Sequence, residues 1–444
     1  MPAAATPGAA PPETEIVNVV VFEDPAVTRL GVVVAARPAC DLGLGGHSLV
    51  EAIGHFGAVR RSVRPHLARH LAAVGGSSRM AVWGGPPDTG WQPAASRHGA
   101  VALAVNARAV PSRANLAALR GFVEAGRRGI VRDGAAVAAV VLHLAADGSG
   151  PDAEALAALA KPGVDPSAVI ESLALPHADL AIELLAEPHD VLGAHERALE
   201  DALAARIDSG AYQEIRPGLF AAPGSQIAAL VEVRRGPVVV EAGAEIGPFV
   251  CLDGPVWIGP EARVNPHAWL RAGTAVGRGC RVGGEVEASV LEPFSNKPHD
   301  GFLGHSHVGS WTNIAAGTIT GNLKTTYGPV RLHTPRPGGG RDTVHTGRQF
   351  FGALIGEFVK VSINTSLPCG ARIGPAATIG GDVPELVGGF HNMLVGGPDG
   401  SRSTPEQAAT ILERMMSRRG VVFLHADRTL LDDLAAGAAD DRQA

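Results

Sequence analysis

The spacing of hydrophobic residues along the chain changes near residue 236. Before that point, strand-like and helix-like stretches alternate. The β-branched run IVNVVVF at 16–22 predicts a buried parallel strand, and segments such as SRANLAALRGFVEAG predict helices. This alternation predicts an α/β layer domain over residues 16–208. The last helix before the change carries apolar residues at helical spacing: Leu192, Leu199, Leu203 and Ile207. We expect this helix to pack against the following domain.

After residue 235 the hydrophobic period becomes six. Aliphatic residues occupy the same place in successive hexads: Val240, Ile246, Leu252, Ile258, Val264, Leu270, Val276 and Val282. A small or β-branched residue stands four places after each of them: Ala244, Val250, Val256, Ala262, Ala268, Thr274, Cys280 and Val286. This double pattern predicts a left-handed parallel β-helix of the hexapeptide-repeat kind from Gly236 to about Asp382, because each side of a triangular coil needs an inward aliphatic and a small corner residue.

Two interruptions of the period are predicted. The phase stops after Val286, resumes at Phe302, Val308 and Ile314, and resumes again from Ile355. Residues 287–301 therefore interrupt the coils once, and residues 321–349 form a loop insertion. Insertions in such scaffolds usually lie on the functional face.

The remaining segments complete the predicted domain organisation. Residues 1–15 read as a disordered tail, 209–235 as a linker, 236–390 as the β-helix domain and 391–444 as a C-terminal helical cap with a tail. Within the last segment, Thr404-Pro405-Glu406 is a helix-start signal.

Composition and charge exclude several function classes. The formal net charge is −6 and no run of Lys and Arg forms a basic stripe, so nucleic acid is not an expected partner. The four cysteines are scattered, which favours a reduced cytoplasm over a disulfide framework or a zinc knuckle. No segment is long and apolar enough to predict a membrane span.

The segment 295–328 carries the densest set of chemically useful residues. His299, followed by Phe302-Leu303-Gly304 and then NIAAGTITGN at 313–322, resembles the acetyltransferase half of the bifunctional glucosamine-1-phosphate acetyltransferase / N-acetylglucosamine-1-phosphate uridyltransferase family. The whole chain, with FEDP near its start and SNKPHDGFLG in the middle, is more similar to a related family of sugar nucleotidyltransferases.

This resemblance implies roles for five residues. His299 would be the general base that takes a proton from an acceptor amine, and Arg271 would bind a sugar phosphate. Asn313 and Asn322 would position the acceptor, and Ala316 would line the coenzyme A site. Each also has an ordinary structural interpretation: a loop histidine bonded to backbone, a surface arginine, or asparagines that stabilise β-helix corners.

The implied activity is transfer of an acetyl or acyl group from acetyl-coenzyme A or a related thioester to an amino-sugar phosphate or nucleotide-sugar, by a cytoplasmic homotrimer in a sugar-nucleotide pathway. Two positions depart from the family pattern. The family's acceptor-binding lysine falls at about Ser289, and its tyrosine is Phe302. Glucosamine-1-phosphate itself is therefore in doubt as the acceptor.

The N-terminal half departs further from the pattern that the resemblance implies. The expected glycine-rich, arginine-containing loop is replaced by GLGGH at 43–47, and Asn106 stands where a metal-binding carboxylate is expected. We therefore expect a degenerate nucleotidyltransferase-like domain, with Mg²⁺ only if that domain is active. An altered phosphate or metal site could use the following residues: Glu23, Asp24, Arg37, Asp41 and Asp133.

Three alternatives remain open. The chain could be a sugar-1-phosphate pyrophosphorylase with a β-helix for trimerisation or regulation. It could bind zinc between subunits through His299, His305 and His307, as γ-class carbonic anhydrases do with three histidines. It could also be a non-catalytic scaffold, which absence of acetyl-coenzyme A binding would favour.

Overall fold

A computed structural model describes residues 18–74, 100–145, 147–336, 340–395 and 400–440. The tail predicted to be disordered, residues 1–15, lies outside this part of the chain. Among the helices in the described ranges, none combines the length and apolar character needed to cross a bilayer.

The N-terminal domain is built around a mixed five-stranded sheet. Its strands, in chain order, are β1 Asn18–Phe22, β2 Val59–Ser62, β3 Ala100–Asn106, β4 Gly129–Asp133 and β5 Ala136–Leu144. They are arranged in the order β2-β1-β3-β5-β4. The predicted first strand is confirmed as parallel: β1 pairs with β2 and with β3 in parallel, whereas β5 runs antiparallel to β3 and β4.

Helices cover this sheet and lead into the second half of the chain. They are α1 Leu49–Ile53, α2 Pro65–Val74, α3 Arg113–Glu124, α4 Pro151–Leu159, α5 Pro166–Glu171 and α6 Asp190–Asp208. The helix predicted from SRANLAALRGFVEAG is α3, whose start is capped by the Ser112 side chain. The α/β layer prediction is therefore confirmed.

The second half is a left-handed parallel β-helix with three faces. The packed face, named for its contact with the N-terminal domain, contains β6 Gln213–Arg216, β7 Leu219–Ala221, β10 Val238–Val240, β13 Val256–Ile258, β16 Thr274–Val276, β19 Val290–Leu291, β22 His307–Val308, β27 Ala353–Ile355, β30 Ala371–Ile373 and β32 Leu386–Val387.

The second face contains β8 Gln226–Ile227, β11 Glu245–Ile246, β14 Arg263–Val264, β17 Arg281–Val282, β20 Asn296–Lys297, β23 Asn313–Ile314, β28 Lys360–Val361, β31 Thr378–Ile379, β33 His391–Asn392 and β34 Ser401–Arg402. The third face contains β9 Glu232–Arg235, β12 Cys251–Asp253, β15 Trp269–Leu270, β18 Glu285–Glu287 and β21 Phe302–Gly304, followed by the pair β24 Ile319–Thr320 and β29 Ser366–Leu367.

The three corners are named for residues that lie at them. The second and third faces meet at the His299 corner, and the third and packed faces meet at the His305 corner. The packed and second faces meet at the Trp311 corner. In each coil the chain passes the packed, second and third faces in that order.

The double hexapeptide pattern is confirmed over residues 240–286. Every residue of the aliphatic series and of the series four places later is buried. Residues 209–235, assigned to a linker by sequence pattern, hold β6 to β9, and β7, β8 and β9 pair with the next coil.

The predicted interruption at 287–301 is wrong, because β19 and β20 continue the packed and second faces without a break. The inward residues here are Val286, Leu291, Lys297 and Leu303. Val286 follows the inward Val282 by four places and Leu291 follows Val286 by five, so two successive hexads are shortened, and one inward position holds a lysine. The six-residue spacing of aliphatic residues is therefore not continuous here, and the spacing alone does not predict these strands. Phe302, predicted as inward, is only partly buried, and Leu303 takes the inward place.

Residues 321–349 leave the coils and include an antiparallel hairpin, β25 Arg331–Pro335 and β26 Arg341–His345. Val330 and Leu332 join the core of the N-terminal domain, together with Leu354 of the β-helix. The inserted segment thus joins the packed face of the β-helix to the core of the N-terminal domain, while the interior of the β-helix is a separate hydrophobic cluster.

Helix α6 packs on the β-helix as predicted. Leu199 and Leu203 are fully buried against Val239, Trp257 and Ala275 of the packed face. The apolar stripe of the last helix therefore serves the interface between the two domains.

The predicted C-terminal helix is confirmed as α7 Pro405–Ser417, with Thr404 and Gln407 forming a capping box. It is followed by α8 His425–Asp440. Residues of both helices pack with Trp311 and Phe358 of the Trp311 corner and with Leu67 of α2. The two C-terminal helices thus contact both the β-helix and the N-terminal domain.

Candidate functional site

His299 lies on the turn between β20 and β21, at the His299 corner, and is exposed. Its imidazole makes no hydrogen bond to another residue within the described ranges. The turn itself is held from the preceding coil, because the Asn265 amide donates to the Pro298 carbonyl at 2.8 Å. An exposed imidazole on a fixed turn is available to a ligand.

Lys297 supports this turn from inside the β-helix. It occupies an inward position on the second face, where Val282 and Ile314 fill the neighbouring coils, and is 1% exposed. Its Nζ donates to the backbone oxygens of Gly283 at 3.0 Å, His299 at 2.9 Å and Asp300 at 3.3 Å. Burial lowers the pKa of Lys297 to about 8, against the opposing charge of Asp300. A buried cation thus holds the backbone of His299.

Ala316 and Asn313 lie on the coil next to His299. Asn296 pairs with Asn313, and the same offset of 17 residues places Ala316 beside His299 at the corner. Asn313 is partly buried on the second face. The structure therefore brings together three of the five residues singled out from the sequence.

Arg271 lies elsewhere, at the His305 corner of an earlier coil. Its guanidinium pairs with Glu285 at 3.0 Å and Glu287 at 2.9 Å, and stacks 5.0 Å from the centre of the Trp269 ring. Its charge is therefore already compensated within the chain. A phosphate bound there would have to compete with two carboxylates.

Asn322 is also at the His305 corner, separated from His299 by the width of the third face. Its amide nitrogen lies 3.1 Å from His305 Nδ1. The Phe350 ring stacks on His305 with 5.3 Å between ring centres. Burial, followed by the nearby charges of Arg348 and Arg271, lowers the pKa of His305 to about 4, so its imidazole is neutral at physiological pH.

The three histidines of the zinc alternative are not grouped within one chain. His299 and His305 lie at different corners, and His307 is buried on the packed face with Nε2 3.1 Å from Glu292 Oε1. Within the described residues, no group of three His, Cys, Asp or Glu side chains is arranged to hold a metal ion.

The acidic residues proposed as an altered metal site are held by arginines or backbone. Asp24 accepts from Arg108 at 2.6 and 2.9 Å and from the Asn106 amide at 2.9 Å. Glu23 pairs with Arg64, and Asp41 with Arg61. These pairs occupy Glu23, Asp24 and one oxygen of Asp41, whose Oδ2 is buried without a hydrogen-bond partner among the described residues. Because an arginine already neutralises each carboxylate, the residues present do not fit a Mg²⁺ site.

Asp133 and Arg37 are separately engaged. Asp133 accepts from the Leu184 amide at 3.0 Å. Arg37 lies at the interface with the β-helix, where it donates to Glu292 at 2.5 Å, Glu357 at 2.5 Å and Ser310 at 2.6 Å, all buried. The five residues suggested for an altered phosphate or metal site therefore take part in separate structural contacts.

The glycine-rich segment serves this same interface. The Gly43 amide donates to Glu292 at 3.0 Å. A Cβ on Gly46 would lie 2.8 Å from the Trp257 ring, and one on Gly45 2.9 Å from the Ala198 carbonyl. Gly46 thus permits close packing on the β-helix, and Gly45 permits close packing of this loop on α6. Sequence reasoning missed Glu292 because a single glutamate among aliphatics carries no spacing signal.

Parts of the chain are similar to known proteins. Residues 19–207 match the family described as "Sugar nucleotidyl transferase". The chain is 35% identical over 150 residues to the bifunctional protein GlmU of Paracoccus denitrificans, covering 33% of this chain and 30% of that protein. It is 33% identical over 124 residues to the GlmU of Methanococcus vannielii, covering 28% of each. The chain thus spans about a third of the length of the relatives it matches.

Solved structures of low sequence identity also align with the chain. One is a mutant of AntD, an N-acyltransferase from Bacillus cereus, in complex with dTDP and coenzyme A, at 15% identity and a TM-score of 0.22, covering 45% of this chain and 91% of that one. Another is the UDP-N-acetylglucosamine acyltransferase from Campylobacter jejuni, at 11% identity and a TM-score of 0.23, covering 49% and 82%. The resemblance inferred from the sequence is confirmed by the family match and the GlmU relatives: residues 19–207 are related to sugar nucleotidyl transferases, and part of the chain is similar to bifunctional GlmU proteins.

Proposed function

We propose that this chain is a transferase of a sugar-nucleotide pathway that moves an acetyl or acyl group from acyl-coenzyme A to the amine of an amino-sugar phosphate or nucleotide-sugar. The observation that carries the proposal is the exposed, unbonded imidazole of His299 on a turn fixed by Lys297 and Asn265. The similarity to bifunctional GlmU proteins supports the same reaction class.

In the proposed reaction His299 acts as the general base. The imidazole of His299 removes a proton from the acceptor amine while the amine nitrogen forms a bond to the thioester carbon. The carbon–sulfur bond then breaks, and the coenzyme A thiolate leaves and takes up a proton, which yields an amide and a free thiol. Such proton transfer contributes about 10²- to 10⁴-fold in rate.

Ala316 is proposed to line the coenzyme A site. It lies beside His299 on the next coil, and its methyl side chain leaves room close to the imidazole. Asn313, on the adjacent strand of the second face, is proposed to orient the acceptor through its amide. Both roles require that acyl donor and acceptor meet at the His299 corner.

Recognition of the acceptor is proposed to depend little on its phosphate. Arg271 is already paired with Glu285 and Glu287, and Ser289, where the related family has a lysine, is fully buried and bonded to the Glu287 carbonyl. Neither position therefore offers an unpaired cation to a phosphate. We therefore favour an acceptor in which the sugar, rather than a terminal phosphate, provides most contacts, and Asn322 is proposed to assist from the His305 corner.

The active form is proposed to be a homotrimer with the His299 corner at subunit contacts. Large apolar side chains stand exposed along this corner on several coils: Leu230 at 59%, Phe249 at 55%, Ile363 at 63% and Leu394 at 56%. A row of exposed apolar side chains of this kind marks an interaction surface. Cyclic symmetry would place a second subunit beside each His299.

The proposal is tested by incubating the full chain with acetyl-coenzyme A and a panel of glucosamine phosphates and amino-sugar nucleotides, and following free thiol and product mass. Acceptor-dependent thiol release with a product heavier by one acetyl group is the expected result. A chain that makes pyrophosphate from a nucleoside triphosphate instead would be the pyrophosphorylase alternative, and one that fails to bind acetyl-coenzyme A would be the scaffold alternative.

A further inference from the structure

A groove of about 660 Å³ runs along the His305 corner, apart from the His299 corner. It is lined by Glu196 and Glu200 of α6 and by Arg348 and Phe350, which follow the inserted hairpin. The groove is therefore built from the N-terminal domain, the insertion and the β-helix together. Its volume is in the range of small-molecule sites, roughly 300–1,000 Å³.

The floor of the groove consists of small residues at the same corner of successive coils: Gly236, Gly254, Ala272 and Ala288, ending at His305. A Cβ on Gly254 would lie 2.4 Å from the Pro237 carbonyl, so this position admits only glycine. Coils stack about 4.8 Å apart, which gives a floor about 19 Å long over four steps. The groove is therefore elongated along the axis of the β-helix.

One end of the groove presents an aromatic ring and a neutral imidazole. Phe350 is 42% exposed and stacks on His305. His305 covers one face of the Phe350 ring and is itself held by Asn322 through Nδ1, so the other face of Phe350 is left for a ligand. Burial lowers the pKa of His305 to about 4, so the imidazole behind Phe350 is neutral.

The charges along the groove disfavour an anion. Glutamates at 196, 200 and 287 face the groove with only two arginines, Arg235 and Arg348. Both arginines are engaged, with Asp253 and Glu196 respectively, and Glu287 is paired with Arg271. Within the described residues, the Glu200 carboxylate has no hydrogen-bond or ion-pair partner. A ligand bearing hydroxyl or amino groups fits this lining better than a phosphate.

We propose that the groove is a sugar-binding site, in which the apolar face of a pyranose ring stacks on the face of Phe350 turned away from His305 while its hydroxyl or amino groups bind Glu200. The site lies at a different corner from His299 and does not depend on acyl transfer. It would hold a sugar unit of the acceptor or of a product at a second position on the molecule.

Binding is measured directly by titrating the full-length protein with glucosamine and with glucosamine-1-phosphate in a calorimeter, without acetyl-coenzyme A. Glucosamine is expected to bind more tightly than its phosphate. Phe350→Ala and Glu200→Gln are each expected to weaken glucosamine binding by about tenfold, because one removes the stacking surface and the other a charged hydrogen-bond acceptor.

Phe249→Ala provides a matched control. Phe249 is also an exposed ring stacked on a β-helix histidine, His267, with 5.0 Å between ring centres, but it lies at the His299 corner. Because Phe249 also lies in the proposed subunit contact, the mass of the variant is checked by sedimentation. The groove is lined by residues of one chain, so this variant is expected to bind glucosamine like the unmodified protein whether or not it remains a trimer. The proposal is overturned if glucosamine shows no saturable binding, if the phosphate binds more tightly, or if Phe350→Ala and Glu200→Gln bind as well as the control.

Discussion

The side chain of Lys297 donates a hydrogen bond to the backbone oxygen of His299 at 2.9 Å, from inside the β-helix. The neighbouring coils fill this inward position with Val282 and Ile314. An ammonium placed there is costly to desolvate, and three carbonyl acceptors offset that cost. The arrangement links an unusual buried charge to the residue proposed as the base.

Lys297→Met is expected to lower kcat of acyl transfer by about tenfold or more with little change in the acceptor KM. The thioether preserves bulk but releases the carbonyls of His299 and Asp300, so the base is less well positioned in the transition state. Steady-state kinetics give both constants. A variant with unchanged kcat would contradict the positioning role.

Lys360→Met is the matched control for that variant. Lys360 is a partly buried lysine whose Nζ donates to backbone carbonyls, those of Trp311 at 3.0 Å and Phe358 at 2.6 Å, and desolvation lowers its pKa to about 7. It lies at the Trp311 corner, away from His299. Its replacement is expected to change stability without lowering kcat. An equal loss of kcat in the two methionine variants would mean that Lys297 stabilises the fold without positioning His299.

Glu292→Gln is expected to destabilise the chain at neutral pH by roughly 3–5 kcal/mol, because Arg37 then loses a buried partner. Burial alone would raise the pKa of Glu292, but Arg37, His307 and the Gly43 amide lower it to about 2. The native carboxylate therefore contributes stability above its unfolded pKa, near 4.5, that is lost as pH falls toward 2.

Urea unfolding across that pH range measures the effect. The difference in unfolding free energy between the unmodified chain and Glu292→Gln is expected to shrink as pH falls from 4.5 to 2. Glu245→Gln, which breaks an exposed pair with Arg263, is the control and should cost at most about 1 kcal/mol. A pH-independent difference would show that Glu292 contributes no proton linkage.

The full chain is expected to lack sugar-1-phosphate nucleotidyltransferase activity at rates typical of such enzymes. Phosphoryl-type transfer depends on a metal and a phosphate-binding loop, whereas Asp24 is held by Arg108 and the Gly43 amide is bonded to Glu292. The test uses the whole chain because the N-terminal domain shares its core with Val330 and Leu354. Magnesium-dependent pyrophosphate release at several turnovers per second would restore a bifunctional enzyme.

Sedimentation equilibrium is expected to give a mass three times 45.4 kDa. Ile363→Asp, which puts a charge among the exposed apolar residues of the His299 corner, is expected to dissociate the trimer. Ile411→Asp on α7, exposed at 38%, is the control and should leave the mass unchanged. A monomeric unmodified protein would contradict the proposed assembly.

The fold could be predicted from sequence wherever one physical requirement repeats. Each coil needs an aliphatic residue inside, so Val264 and Leu270 identified the β-helix, and the stripe containing Leu199 and Leu203 identified the interface helix. The coil around Lys297 is predicted as an interruption, because a lysine with three backbone acceptors replaces the aliphatic residue. Periodicity does not reveal that substitution.

The candidate site was only partly predictable for a related reason. Neighbouring coils bring His299 and Ala316 together through strand register, which the repeat implies. The contacts of Arg271 with two glutamates and of Asn322 with His305 depend on side-chain geometry at another corner. The Arg37–Glu292 pair joins residues 255 positions apart, and no local pattern encodes it.

The most direct test of the account is the rate of coenzyme A release by the unmodified chain and by His299→Ala, measured with the acceptor that supports turnover and at equal trimer concentration. His299 is exposed and its ring makes no hydrogen bond to another described residue, so its removal should leave thermal stability nearly unchanged. The account predicts a loss of about 10²-fold or more in kcat for the variant. Equal rates of thiol release in the two proteins would contradict His299 as the base and remove the central claim.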